Sequence, residues 1–157
     1  MIGADISITG GLKPSLRQRA RRDWSFNGRR FSVGLIAKRI KLVGSRGEHE
    51  TEGLFDSGAS YSFIRRDIAE RLEILLPLPQ PMSFEMAQQG ATLVVRERVV
   101  LDFWIDGYRF SDEFFVVDNL ADELIIGATT MQKWRLKLDM EREDIIIDPS
   151  VTRLRFV

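Results

Sequence analysis

The chain contains no cysteine and a single histidine, His49. Without cysteine, disulfides and thiolate-ligated metals are excluded. With one imidazole, a multi-histidine metal centre cannot be assembled, and any Ser-His-Asp triad would have to use His49. No apolar run approaches the ~20 residues needed to cross a bilayer. The first residues, Met1 to Gly11, lack the charged start and continuous apolar stretch of a secretion signal, so a cytoplasmic location is expected. There is no internal repeat and no low-complexity tract. With 157 residues, the chain is long enough for one domain with a real core and too short for two.

Net charge is also missing, since 23 Lys/Arg balance 23 Asp/Glu. The balance hides an asymmetry. Residues 1–46 carry eleven Lys/Arg and two Asp/Glu, whereas residues 47–157 carry twelve and twenty-one. A basic arm on an acidic body admits nucleic acid as a partner. No aromatic-basic pattern of a nucleic-acid module accompanies it. An arm that is solvated, or that rests on its own acidic body, is the preferred reading.

Residues 1–30, with Gly10-Gly11, Lys13-Pro14 and the arginines from Arg17 to Arg22, read as a basic N-terminal extension, either disordered or a pro-segment that the protein itself cuts, and one that Trp24 and Phe26 could dock. The folded domain is expected over 31–157. Its pattern is mostly β. Strands are predicted over Phe31–Leu42, Glu52–Phe55, Met82–Ala87, Thr92–Ile105, Tyr108–Val117, Glu123–Ile126, Asp144–Asp148 and Arg153–Val157. Gly44–Gly47 is a turn, and Asp106-Gly107 between apolar runs is a strong hairpin signal. Ala87-Gln88-Gln89-Gly90-Ala91 is the expected tip of another hairpin. Amphipathic spacing predicts short helices over Tyr61–Leu72 and Ala128–Leu136. The three prolines of Leu76–Pro81 forbid a helix there. Many short strands with one or two short helices point to a small closed β barrel.

The sharpest chemical feature is Leu54-Phe55-Asp56-Ser57-Gly58-Ala59-Ser60. It is a carboxylate at the end of an apolar strand, followed by residues small enough for chain or ligand to approach closely. A serine nucleophile at Ser57 is disfavoured, because His49 is the one available imidazole and Ser57 lies in no nucleophile elbow. The acidic cluster Glu141, Glu143 and Asp144 reads as a solvated turn, since hard-cation loops carry a denser oxygen pattern, and no metal or other cofactor is expected. Of the adjacent Phe114 and Phe115, one should face inward and the other outward. Trp104 and Trp134 read as packing residues.

The Asp56 segment resembles the active-site loop of the retropepsin-like aspartic proteases, in their cellular and bacterial branch. Leu124-Ile125-Ile126-Gly127 before a helix resembles that family's second landmark, the apolar-apolar-Gly motif. The order of loop, helix, hairpin flap, second hairpin, apolar-apolar-Gly and helix is similar over residues 31–157. The resemblance implies a mainly β, small closed barrel of the retropepsin (acid protease) type, active as a two-fold dimer. It implies Asp56 as the catalytic carboxylate, Ser57, Gly58 and Ala59 as the loop that positions it, and Ser57 as a lock between the loops of two subunits. It also implies that Ala87, Gln88, Gln89, Gly90 and Ala91 form a flap over a peptide, and that Ile125, Ile126 and Gly127 are structural. Only one Asp-[Ser/Thr]-Gly is present, so the second carboxylate is expected from another copy. The implied activity is an aspartic endopeptidase acting on peptides or proteins. The alternative is a proteolytically weak or inactive binding or dimerisation module of the same fold, one that could contact nucleic acid through its basic N-terminal arm.

Overall fold

The computed structural model describes residues 23–26, 29–32, 34–85 and 91–153. The chain order is β1 (Asp23–Phe26), β2 (Arg29–Ser32), β3 (Leu35–Gly44), β4 (Gly47–Asp56), β5 (Phe63–Arg65), α1 (Arg66–Leu72), β6 (Leu76–Glu85), β7 (Thr92–Ile105), β8 (Tyr108–Val117), β9 (Leu124–Ile126), α2 (Ala128–Lys133), β10 (Lys137–Asp139) and β11 (Asp144–Ile146), then a 3-10 turn over Pro149–Thr152. Among the described residues, strands β1 and β2 pair only with each other, and so do β10 and β11. The remaining strands form one seven-stranded sheet in the order β3-β4-β9-β5-β8-β7-β6. Pairing of Leu42 with Phe103 joins β3 to β7, which closes the first six strands of that order into a barrel and leaves β6 as an edge. Among the described residues, no helix is long and apolar enough to cross a membrane.

Alternation builds the barrel. On β7, Val99, Leu101, Phe103 and Ile105 are buried while Val100 is exposed, as a half-buried strand requires. They meet Ile36, Ile40 and Leu42 of β3 and Phe110 and Phe114 of β8 inside the barrel. Phe103 stacks on Phe110 with centroids 5.2 Å apart. The end of β8 is buried on both faces. Phe114 and Val116 point into the barrel, while Phe115 and Val117 join Phe63 and Val95 in a second apolar cluster, against Met82 and Phe84 of the β6 edge. The outward phenylalanine is thus Phe115, and what it faces is the β6–β7 hairpin rather than solvent.

The two glycine-marked turns fall where the sequence puts them. At Asp106 and Gly107, φ is +50° and +82°, the pair of left-handed residues that a two-residue hairpin needs, and Ile105 stands opposite Tyr108. Several bounds differ from expectation. Strand β4 starts at Gly47, not Glu52, because β3 pairs with it along its whole length from Gly44↔Gly47 to Leu35↔Asp56. The predicted helix over Tyr61–Leu72 is a strand followed by a helix. Phe63 and Ile64 pair with both β8 and β9, and that double ladder overrides the helical spacing. The proline-bearing segment is the first half of β6, on a sheet edge and with its register shifted between Pro77 and Met82, where proline is tolerated.

Helix α2 stops at Lys133, short of Leu136. Arg135 takes φ +52°, its N–H donates to Gln132 O (3.3 Å), and Leu136 N–H donates to Met131 O (2.8 Å). This is a Schellman stop built without glycine, with Leu136 and Met131 both buried. Strand β10 has no counterpart among the expected strands. Strand β11 ends at Ile146, and Asp148 caps the following turn by accepting from Ser150 N (2.9 Å). Of the last expected strand, Arg153 lies outside any strand and 154–157 lie outside the described residues. Glu141 and Glu143 are exposed between β10 and β11, and Asp144 pairs with Lys38 at 2.6 Å.

Candidate active site

Asp56 is the last residue of β4, where the chain leaves the sheet. Side chains alternate along the strand. Phe55 is in the barrel core, so Leu54 and Asp56 share the opposite face. Strand β9 lies parallel to β4, with Ile125 beside Leu54 and Ile126 beside Phe55. Ile126 therefore points into the core, and Ile125 shares the face of Asp56. The two sequence landmarks, 68 residues apart by the spacing of Asp56 and Leu124, are brought side by side.

The loop is held by its own backbone. Gly58 N–H donates to Asp56 Oδ1 (2.8 Å), and Ala59 N–H donates to Asp56 O (3.1 Å). Ser57 is exposed. Its N–H and its Oγ both donate to Gly34 O, at 3.2 and 3.3 Å. Behind the loop, the start of α2 is stitched to it. Ala128 N–H donates to Ala59 O (2.7 Å) and Thr129 N–H to Ser60 O (3.1 Å). Gly127 N–H donates to Ser62 Oγ (3.0 Å), and Ser62 Oγ shares a hydrogen bond with Thr130 Oγ1 (2.7 Å), both side chains being buried. A side chain at Gly127 has no room, since a Cβ there would lie 2.2 Å from Tyr61 O.

Sequence reasoning missed Gly34, Ser62 and Thr130. A hydroxyl immediately before an apolar strand, and another three residues past a buried glycine, were signals too common to single out. Replacing Ser62 by Ala is expected to cost about 1–3 kcal/mol, because it leaves Gly127 N–H and Thr130 Oγ1 without their buried partner. The shift of the urea midpoint at constant slope measures it.

Of the expected flap, residues 87–90 lie outside the described residues, and Ala91 is half-buried. The arms on either side are described, with Glu85 opposite Thr92. The tip end of the β6 arm is anchored by aromatic rings. Phe84 meets Tyr61 edge-on at 5.6 Å and Phe63 at 5.3 Å. Beside this cluster, Leu93, Val117, Leu120 and Ile125 line a cleft of about 570 Å³, with Arg66 and Arg96 among its other lining residues. Because Ile125 lines the cleft and shares a sheet face with Asp56, the cleft lies along the carboxylate's side of the sheet.

The start of β9 is fixed by charge. His49 Nε2 lies 2.8 Å from Glu123 Oε2, Arg65 Nη2 lies 3.6 Å from Glu123 Oε1, and Arg65 N–H donates to Glu123 O (3.0 Å). Burial works to raise the Glu123 carboxyl. Hydrogen bonds from His49 and Thr51, with the charges of His49 and Arg65, outweigh it and hold the group below its ordinary value. A depressed carboxylate stabilises the fold above its unfolded value of 4.5, and that contribution is lost as pH falls through the folded value. Thermal melts from neutral to acid pH should therefore fall below about pH 4.5 more steeply for the wild type than for Glu123→Gln.

A closed six-stranded barrel, with an aspartate loop and an apolar-apolar-Gly strand end set side by side, is the retropepsin-like fold. The model of the Ty3 transposon peptidase family matches residues 36–140, and the chain belongs to that family. The structure is also similar to the crystal structure of the retroviral protease-like domain of Ddi1 from Leishmania major. The TM-score is 0.55 at 18% identity, over 72% of this chain and 89% of that one. At that identity the likeness speaks for the fold alone.

Proposed function

We propose that the chain is an aspartic endopeptidase, active as a homodimer in which the two Asp56 carboxylates share one proton. The observation that carries this reading is the solvent-facing loop at the end of β4. It holds Asp56 through Gly58 N–H, and a single chain has only one such loop. Two carboxylates brought close cannot both ionise, so they lose their protons in two separated steps. Between those steps the ionised carboxylate takes a proton from water as the water oxygen attacks the amide carbon. The protonated carboxyl gives its proton to the carbonyl oxygen, forming a tetrahedral diol. Collapse of the diol breaks the C–N bond, with a proton passing to the leaving nitrogen. No metal or organic cofactor is required.

Ser57, Gly58 and Ala59 position the carboxylate, and the hairpin tip from Ala87 to Ala91 covers an extended peptide. The apolar cleft by Ile125 supports a preference for apolar side chains next to the cut bond. The test is cleavage of a diverse peptide pool from about pH 4 to 7, where a coupled pair holds one proton. The expected result is cutting that a statine-type transition-state mimic blocks and that Asp56→Asn removes. A folded, dimeric wild type that cuts nothing would replace this reading with a binding module of the same fold.

A further inference from the structure

We propose that His49 is a positioning residue for the substrate, and that with Glu123 it clamps the cleft loop 118–123 in a way that loosens as pH rises. The substrate role rests on the endopeptidase reading above, which gives that loop a peptide to hold.

The loop joins β8 to β9 and supplies residues 118–122 to the cleft lining, along with Leu93, Val94 and Arg96 of β7. A cation holds each of its ends. At the start, Arg66 of α1 donates to Asp118 and also to Glu97 Oε2 of β7 (2.5 Å), which ties the loop to the neighbouring strand. At the end, His49 Nε2 lies 2.8 Å from Glu123 Oε2, and Arg65 Nη2 lies 3.6 Å from Glu123 Oε1. Glu123 leads directly into β9. Two residues on, Ile125 lines the cleft and pairs with Leu54, on the sheet face that Asp56 shares.

The two ends differ in chemistry. A guanidinium keeps its charge at every accessible pH. An imidazole changes charge between pH 5 and 8, and His49 is the one histidine of the chain. Its surroundings leave Glu123 as its ionic partner. Across the ladder it meets the apolar Leu42 of β3. From β5 comes Arg65, which divides itself between Glu123 and Asp67 of α1 (2.7 Å). Arg71 of α1 turns back onto Asp67 O. Thr51, two residues along β4, bonds Glu123 as well.

The sign follows. Glu123 is held below its ordinary 4.5, so it is ionised throughout the imidazole range. While His49 is protonated, the clamp joins two charges. Once it loses the proton, Nε2 offers at most a neutral donor, and the weaker bond holds the loop less firmly. The clamp is therefore strongest at mildly acid pH. A coupled carboxylate pair holds its single proton in the same region, so the cleft wall is firmest where the chemistry can run.

His49→Gln keeps an amide donor near the Nε2 position and removes the charge. In hydrogen exchange of the full chain at about pH 5.5, amides of 120–126 should open ~5-fold more often in His49→Gln than in the wild type. At about pH 8 the two should agree, because the wild-type imidazole is then neutral. At the lower pH, KM for a peptide with apolar residues at the cut should rise in the variant by up to the same factor, with kcat unchanged. Glu123→Gln should also remove the pH step. If a variant fails to fold, the wild type still reads the clamp. Corrected for intrinsic exchange, protection of 120–126 should fall ~5-fold between the two pH values while that of 99–105 holds. Equal opening at pH 5.5, or a difference that persists at pH 8, overturns the clamp. Faster opening with KM unchanged overturns the substrate role. A wild type that cuts no peptide overturns the endopeptidase reading and the substrate role with it, and exchange then decides the clamp on its own.

Discussion

Replacing Asp56 by Asn is expected to lower peptide cleavage by ~10³-fold or more, the range in which acid–base groups contribute, without loss of fold. Asn matches Asp in shape and keeps a carbonyl oxygen for Gly58 N–H, now 2.8 Å from Asp56 Oδ1. Under the proposed mechanism it can neither hold nor take up the shared proton. The dependence on mixing is more discriminating than the loss itself. If each active unit needs two carboxylates, activity follows the square of the wild-type fraction. When half the subunits are substituted and exchange freely, about a quarter of the dimers keep both carboxylates. A linear decline would mean that each chain works alone, and would sink the paired mechanism. The substitution also has a sign for assembly. Two close carboxylates repel once both ionise. At neutral pH the Asp56→Asn dimer should therefore be at least as tight as the wild type, and ultracentrifugation reads this separately from cleavage.

The parts of this molecule that were legible in its sequence are those where close approach or a special turn dictates residue type. Asp56-Ser57-Gly58 marks a loop that folds back on its own carboxylate, with Gly58 N–H donating to Asp56 Oδ1. Asp106-Gly107 needs two left-handed residues. Ile125-Ile126-Gly127 is apolar because the strand is covered on both faces, by the barrel core at Ile126 and by the second cluster at Ile125. What was not legible depends on partners far along the chain. Phe63 and Ile64 suit a helix until β8 and β9 arrive on either side of them. Arg135 ends α2 in a left-handed conformation that glycine usually marks, so the helix reads too long. Strand β10 is three residues long and exists through its pairing with β11. Gly34 looks like an ordinary linker residue, although its carbonyl receives both hydrogen bonds of Ser57.

The same dependence on a distant partner sets the largest stability effect expected from a small change. Gly127→Ala should cost about 3 kcal/mol or more, as overpacking against an unyielding wall does, and should remove cleavage with it. The added methyl would stand 2.2 Å from Tyr61 O, 2.5 Å from Tyr61 C and 2.9 Å from Ala59 O. All three are backbone atoms of the loop that leaves Asp56. Relief requires either that loop or the start of α2 to move, and both are tied. Ala128 N–H is bonded to Ala59 O, and Gly127 N–H to the buried Ser62 Oγ. Gly107→Ala is the comparison that separates space from conformation. A Cβ at Gly107 meets nothing within 4 Å, but its φ is +82°, so the cost there is strain alone, about 1–2 kcal/mol. Urea midpoints should rank Gly127→Ala well below Gly107→Ala, and Gly107→Ala should cut peptides normally wherever it is folded. Equal midpoints would mean that the Asp56 loop yields to a methyl group, and the rigid support assigned here to Gly127, Ser62 and Thr130 would be wrong.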